Sequence, residues 1–125
     1  MSTELNRILY VEDEPDIQAV ATLALEHVGG FTLEVCSSGS EALSKGEAFD
    51  PQLILLDVMM PDMDGPTTMK KLREIDQLSE VPVVFMTAKV QPHEVDELKQ
   101  MGAVEVIAKP FDPMTLSDQI RAIFA

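Results

Sequence analysis

Leu53-Ile54-Leu55-Leu56, four apolar residues in a row closed by Asp57, limits the fold more than any other stretch of the chain. A run this apolar suits a strand covered on both faces, as in a parallel sheet with helices above and below it. The next segment, Val58-Met59-Met60-Pro61-Asp62-Met63-Asp64-Gly65, reads as loop. In open parallel sheets, chemistry collects just beyond the carboxyl ends of the strands. Asp57 is therefore a candidate site residue held on a rigid strand. Taken alone, it is equally well a surface carboxylate that ends a strand.

The rest of the chain repeats the pattern. Apolar runs at Ile8-Leu9-Tyr10-Val11, 31–36, 81–86 and 104–108 alternate with helical spacing, which predicts about five βα units and a parallel sheet. Pro15 suits a first helical turn, and Ile17, Val20, Ala21, Ala24, Leu25 and Val28 recur as an inward stripe before Gly29-Gly30 stops the helix. Residues 38–46 read as a short helix bounded by glycines. A helix from Pro66 turns Met69, Leu72 and Ile75 inward, and one over 92–101 turns in Val95 and Leu98. Asp112 caps a last helix that begins at Pro113 and carries Leu116, Ile120, Ile123 and Phe124 on one stripe.

Length and charge narrow the function. With 125 residues, the chain predicts one domain, 1–125, with a real core. No apolar run approaches the roughly 20 residues of a membrane span, and Met1 to Asn6 lack the basic and apolar regions of a signal peptide. Cys36 is the single cysteine, which fits a reducing cytoplasm. A formal net charge of -13 argues against direct contact with duplex nucleic acid.

The residues just past the strand ends carry the chemistry. Glu12 and Asp13 come after the first strand, Asp57 after the third, Thr87 after the fourth and Lys109 after the fifth. Parallel strands bring these ends to one edge of the sheet. Each residue alone has an ordinary structural explanation; their coincidence at matching strand ends does not. Three carboxylates in one pocket repel unless a cation joins them, and oxygen ligands favour a hard ion such as Mg²⁺. Asp57 could then attack phosphorus as carboxylates do in aspartyl-phosphate formation, with Lys109 neutralising charge and Thr87 donating a hydrogen bond.

The segments Val11-Glu12-Asp13-Glu14, Leu55-Leu56-Asp57-Val58-Met59-Met60-Pro61, Asp64-Gly65, Met86-Thr87-Ala88 and Lys109-Pro110-Phe111 together resemble the bacterial response-regulator receiver domain. The resemblance covers the whole chain. It implies a flavodoxin-like (βα)5 three-layer sandwich whose five parallel strands run in the order 2-1-3-4-5. It implies that Asp57 accepts a phosphoryl group from a phosphohistidine on a sensor histidine kinase or histidine phosphotransfer protein. Asp13, Asp57 and the main-chain carbonyl of Met59 would bind Mg²⁺ or Mn²⁺, with Glu12 acting through a bound water. Thr87 and Lys109 would hold the phosphoryl group, and the Lys109-Pro110 bond would be cis. The expected output is altered binding of a downstream protein on the face made by helix 92–101, strand 104–108 and helix 113–124.

One position departs from the family. Three residues before the lysine, where an aromatic ring often reports phosphorylation, the chain has Val106. The chemistry is untouched, but a muted output switch is expected. The chain ends with its last helix, which favours a stand-alone receiver; a phosphorelay shuttle and a receiver cut from a longer response regulator or hybrid histidine kinase are the alternatives.

Rival readings fare worse. A haloacid-dehalogenase-type phosphotransferase needs a second acid two residues after the nucleophile, where this chain has Met59. A flavodoxin-like nucleotide binder wants a glycine- or hydroxyl-rich loop where Glu12-Asp13-Glu14 stands. A calcium loop aligned on Gly65 would place Met60 and Lys71 at ligand positions, and it fails. His27 and His93 read as surface or boundary residues. The eight methionines read mostly as core, with Met59, Met60 and Met63 near the site as a candidate partner contact.

Overall fold

In the computed structural model of the protein, which describes residues 4–125, the buried runs form β1 (Arg7–Val11), β2 (Thr32–Cys36), β3 (Leu53–Asp57), β4 (Val83–Thr87) and β5 (Glu105–Ala108). The reading of the chain start as free of a signal sequence falls partly on residues 1–3, outside those described. The strands pair in parallel in the order β2-β1-β3-β4-β5, as expected. Every residue of β3 and β4 is buried, whereas β2 and β5 sit at the sheet edges and are only partly covered.

Helices cover both faces. On one, α1 (Pro15–Thr22) and α5 (Leu116–Phe124) pack Ala21, Leu116 and Ile120 against Ile8, Tyr10, Leu55 and Met86. On the other, α2 (Gly39–Phe49), α3 (Gly65–Arg73) and α4 (Pro92–Gln100) pack Ala42, Met69, Leu72 and Leu98 against Leu9, Leu56 and Phe85. This is the three-layer sandwich. Alternation along each strand sends neighbouring side chains to opposite layers. No helix among the described residues is long and apolar enough to cross a membrane.

The first helix departs from the expected regular stripe. After Thr22 it widens into a π-helical stretch, Leu23–Val28, closed by the Gly29 amide donating to the Ala24 carbonyl at 3.0 Å. Val28, at the end of the widened stretch, is 50% exposed while Ala24 and Leu25 stay buried, and Val20 of the expected stripe, on the regular segment before it, is 43% exposed. The cause of the widening lies in α5: the Ser117 hydroxyl donates to the same Ala24 carbonyl at 2.9 Å. A Cβ at residue 29 would stand 2.2 Å from that hydroxyl oxygen, so glycine is required there.

Other boundaries move for local reasons. Gly46 does not end its helix; it lies buried against Leu78 and Leu9, and α2 runs on to Phe49 before Asp50 takes a left-handed conformation at φ 57°. The helix from Gly65 ends at Arg73, leaving Ile75 in the connection. Val81 and Pro82 precede β4 rather than opening it. Asp112 caps a turn instead of the last helix: its carboxylate accepts from the Met114 amide at 2.9 Å, and α5 begins at Leu116.

Candidate functional site

The strand ends deliver the expected groups to one place. Val11, the last residue of β1, pairs with Leu56 of β3, so Glu12 leaves its strand level with Asp57. Both carboxylates are buried, Asp57 at 2% exposure. Glu12, Asp13 and Asp57 each offer a carboxylate oxygen, and these oxygens lie within 4.8 Å of one another. Asp13 is the partly exposed member of the three.

Lys109 comes from the opposite side of the pocket. Its Nζ donates to Asp57 Oδ1 at 2.8 Å and to Glu12 Oε1 at 3.2 Å, with its own side chain 17% exposed. Sequence reasoning gave Lys109 a role toward the phosphoryl group and missed its contact with Glu12. A glutamate carries one more methylene than the aspartate common at such a position, and the extra reach is the signal that could have exposed the contact. The Lys109-Pro110 peptide is cis, as expected.

The charges respond to one another. Burial first, then the charge of Asp57, pushes the Glu12 carboxyl up to about 7, against the opposing pull of Lys109. Burial disfavours the Lys109 ammonium, but the hydrogen bond and charge of Asp57, followed by Glu12, outweigh it and raise its pKa. Two buried carboxylates sharing one ammonium leave the pocket short of positive charge.

That shortage bears on a divalent cation. An all-oxygen donor set of three clustered carboxylates fits a hard ion such as Mg²⁺ or Mn²⁺. The Met59 carbonyl, on the loop directly after Asp57, accepts no backbone hydrogen bond among the described residues, while the preceding Val58 carbonyl takes the Gly65 amide at 2.8 Å. It thus has a free oxygen. The Met59 side chain is largely exposed.

Thr87 ends β4 and is buried, and its hydroxyl makes no hydrogen bond to the carboxylates. Its Oγ1 accepts from the Lys89 amide at 3.0 Å, which leaves its proton free to donate. Its carbonyl accepts from the Lys109 amide at 2.9 Å, tying the two strand ends together. Val106 lies beside the fully buried Phe85 of β4 and packs in the α3–α4 layer. His27 and His93 are exposed and belong to no site.

The supports around the acids were less legible. Gln18 of α1 donates from Nε2 to the Glu12 carbonyl and to the Ser37 hydroxyl, the latter at 3.1 Å, bracing the acidic turn against the loop after β2. The Glu14 amide donates to Glu12 Oε2 at 3.3 Å. On the other side of Asp57, α3 starts so close to β3 that a Cβ on Gly65 would stand 2.4 Å from the Asp57 carbonyl oxygen. The Asp64 carboxylate caps that helix by accepting from the Thr67 amide at 2.9 Å, so Asp64-Gly65-Pro66 is a helix entry and not a calcium loop.

Known proteins resemble this chain in sequence and in fold. The family described as the response regulator receiver domain matches residues 8–121. The response regulator Rre1 of Synechocystis is 33% identical over 94% of this chain and 51% of its own length. The DNA-binding response regulator MtrA of Mycolicibacterium smegmatis is 37% identical over 98% of this chain and 52% of its own. The chain therefore spans about half the length of these curated relatives. Among solved structures, the chemotaxis response regulator CheY4 of Vibrio cholerae superimposes with a TM-score of 0.87 at 29% identity, covering 95% of this chain and 98% of that one. A parallel sheet in the order 2-1-3-4-5, an acid cluster at its carboxyl edge and a family match over nearly the whole length agree: the chain belongs to the receiver domains of two-component response regulators.

Proposed function

We propose that Asp57 is the phosphoacceptor of this receiver, and that its modification alters the binding of a partner protein. The observation that carries the reading is the Asp57 carboxylate, buried at a strand end, 2.8 Å from Lys109 and clustered with Glu12 and Asp13. One Asp57 oxygen attacks the phosphorus of a phosphohistidine on a sensor histidine kinase or histidine phosphotransfer protein. The O–P bond forms as the P–N bond breaks, and the imidazole nitrogen leaves with the bond's electron pair and takes up a proton. Lys109 neutralises charge on the incoming phosphoryl oxygens, and the free proton of Thr87 donates to one of them.

Asp13, Asp57 and the Met59 carbonyl are the residues that would hold Mg²⁺ or Mn²⁺, with Glu12 acting through water. The ion supplies charge neutralisation for the phosphoryl group. A signalling domain of this kind works by stoichiometric modification, not by substrate turnover.

The donor docks at the apolar cleft that Lys109 borders. A cleft of about 520 Å³ beside Lys109 is lined by Ile17, Val20, Ala88, Pro110 and Phe111, with Asp16 at its edge. Such a surface suits an apolar ridge of a helical donor. The downstream partner takes the face of α4, β5 and α5, where Met101 and Val104 are exposed. The net charge of -13 supports protein partners for these residues in place of duplex DNA, and the single cysteine supports a cytoplasmic setting.

The test is phosphorylation by acetyl phosphate with Mg²⁺. The protein should gain one phosphoryl mass, removable by hydroxylamine and dependent on the cation. Equal gain at the same rate by Asp57→Asn overturns the assignment. The second reading is a phosphorelay shuttle, recognised in both states, and Val106 at the usual aromatic position is the observation that favours it.

A further inference from the structure

Tyr10 is the only tyrosine in a chain without tryptophan. Its side chain is fully buried between the sheet and the α1–α5 layer. Among the described residues, its hydroxyl is the one buried side-chain polar group with no protein hydrogen-bond partner. A phenol costs stability when its O–H is buried unused, so such a group persists where a buried water serves it or another state of the molecule uses it.

Its position says which state. Side chains two apart in extended chain share a face, and Glu12, directly after β1, continues the ladder through its amide to the Cys36 carbonyl at 3.0 Å, so it follows Tyr10 toward the layer of α1 and α5. Across the ladder Tyr10 lies beside Leu55, two residues before Asp57. Tyr10 and Leu55 are thus each two residues before an acid of the site, on the face those acids share. Burial first, then the charges of Glu12 and Asp57, raise its pKa, so it remains a donor. Above it, Glu12 is held by two long bonds, from Lys109 at 3.2 Å and from the Glu14 amide at 3.3 Å. Lys109 makes its shorter bond to Asp57, at 2.8 Å. A fully buried, weakly held carboxylate and an unused buried donor thus lie on the same face of the sheet, two residues apart in the chain, and the Glu12 charge is felt at the phenol.

We infer that Tyr10 is a positioning residue: when Lys109 is drawn onto a phosphoryl group at Asp57, the Glu12 oxygen it leaves, Oε1, accepts the Tyr10 hydroxyl, while Oε2 remains for the water-mediated contact to the ion. This rests on the phosphoacceptor reading of Asp57. The three side-chain torsions of a glutamate give it the freedom to exchange one donor for the other. The exchange carries the state of the site down β1 into the α1–α5 layer, a route that does not need a ring at Val106.

Beryllofluoride with Mg²⁺, as a phosphoryl mimic on the intact protein, tests the exchange. Two signals are read together: backbone amides of Val58, Thr87 and Lys109 by NMR, and the near-ultraviolet absorbance of the single phenol. Both should respond, the phenol band moving to longer wavelength as the hydroxyl donates. Tyr10→Phe, which removes only the hydroxyl, should leave the metal-free protein at least as stable yet weaken beryllofluoride binding by about ten- to a hundredfold, the worth of one hydrogen bond to a charged group. Amides that respond over a silent phenol, together with unchanged binding by Tyr10→Phe, overturn the inference while leaving the phosphoacceptor reading intact. So does an equal stability loss in Tyr10→Phe with and without the mimic, which assigns the hydroxyl to a fixed buried water. Amides that fail to respond at all refute the phosphoacceptor reading, and the inference falls with it.

Discussion

Replacing Glu12 by Gln should stabilise the metal-free protein, and the gain should grow with pH. Glu12 is fully buried, and its carboxyl is pushed from an ordinary 4.5 up to about 7 by burial and by Asp57. A raised carboxyl pKa means that the folded state binds the proton more tightly than the unfolded chain does. The ionised form therefore subtracts stability, starting above about 4.5 and reaching its full size above about 7. At 1.36 kcal/mol per pKa unit, the deficit is about 1 kcal/mol near pH 5 and about 3 kcal/mol near pH 8. Glutamine escapes it but gives Lys109 a poorer acceptor, a loss of about 1 kcal/mol for one partly satisfied bond. The net gain is then close to zero at the lower pH and about 2 kcal/mol at the higher. For a chain of this length, that is a rise of about 8 °C in Tm. Thermal melts in EDTA at the two pH values read the difference directly. A Glu12→Gln protein no more stable near pH 8, or equally stabilised at both values, refutes the account of a buried, uncompensated carboxylate.

Millimolar Mg²⁺ should raise the Tm of the unmodified protein, with a stabilisation of about 2.7 kcal/mol once the ion is at a hundredfold its Kd; a melt indifferent to Mg²⁺ counts against a metal pocket in Glu12, Asp13 and Asp57. Gly65→Ala should cost about 1–3 kcal/mol by chemical denaturation and also slow phosphorylation, because its Cβ meets the Asp57 carbonyl oxygen at 2.4 Å and must push the site backbone aside; an alanine variant as stable as the parent would show that the approach of α3 to β3 is slack. With beryllofluoride, amide shifts should centre on the Asp57, Thr87 and Lys109 loops and on the layer beneath β1, and a large coherent rearrangement of α4 would refute the muted switch assigned to Val106.

The fold was legible where burial is one-sided or total. Leu53 to Asp57 could be read as a central strand because a fully covered strand needs no alternation, and all five residues are buried. The π-helical stretch in the first helix could not. Its apolar residues fit an ordinary helical period, and the widening is held by Ser117, a residue 93 positions away in sequence. Local spacing carries no record of such a contact. Gly46 misled for the related reason that a glycine serves close packing as readily as termination: a Cβ there would stand 3.2 Å from Leu78 and 3.4 Å from Leu9. Pro113 after Asp112 looked like a helix entry because a turn and a helix begin with the same chemistry.

At the site, residue types and strand ends were enough to bring Glu12, Asp13, Asp57 and Lys109 together, since parallel strands leave their carboxyl ends on one edge. Which acid holds the lysine was not legible, because it depends on reach. The glutamate extends to Lys109, so the ammonium is divided between Glu12 and Asp57, and Thr87 stays turned to the Lys89 amide. The division matters for signalling. Anything that draws Lys109 toward Asp57 also removes a partner from the buried Glu12 carboxylate, so the exchange inferred for Tyr10 would answer the change at Asp57 just past β1. On β5 the corresponding position is a valine beside the buried Phe85, stiff about its one torsion and already packed. The side of the sheet with freedom to respond is therefore the α1–α5 side, where Glu12 has three torsions and Tyr10 an unused donor. A receiver arranged in this way would couple phosphorylation to the layer that also borders the apolar cleft at Ile17 and Phe111, placing input and response on adjoining surfaces.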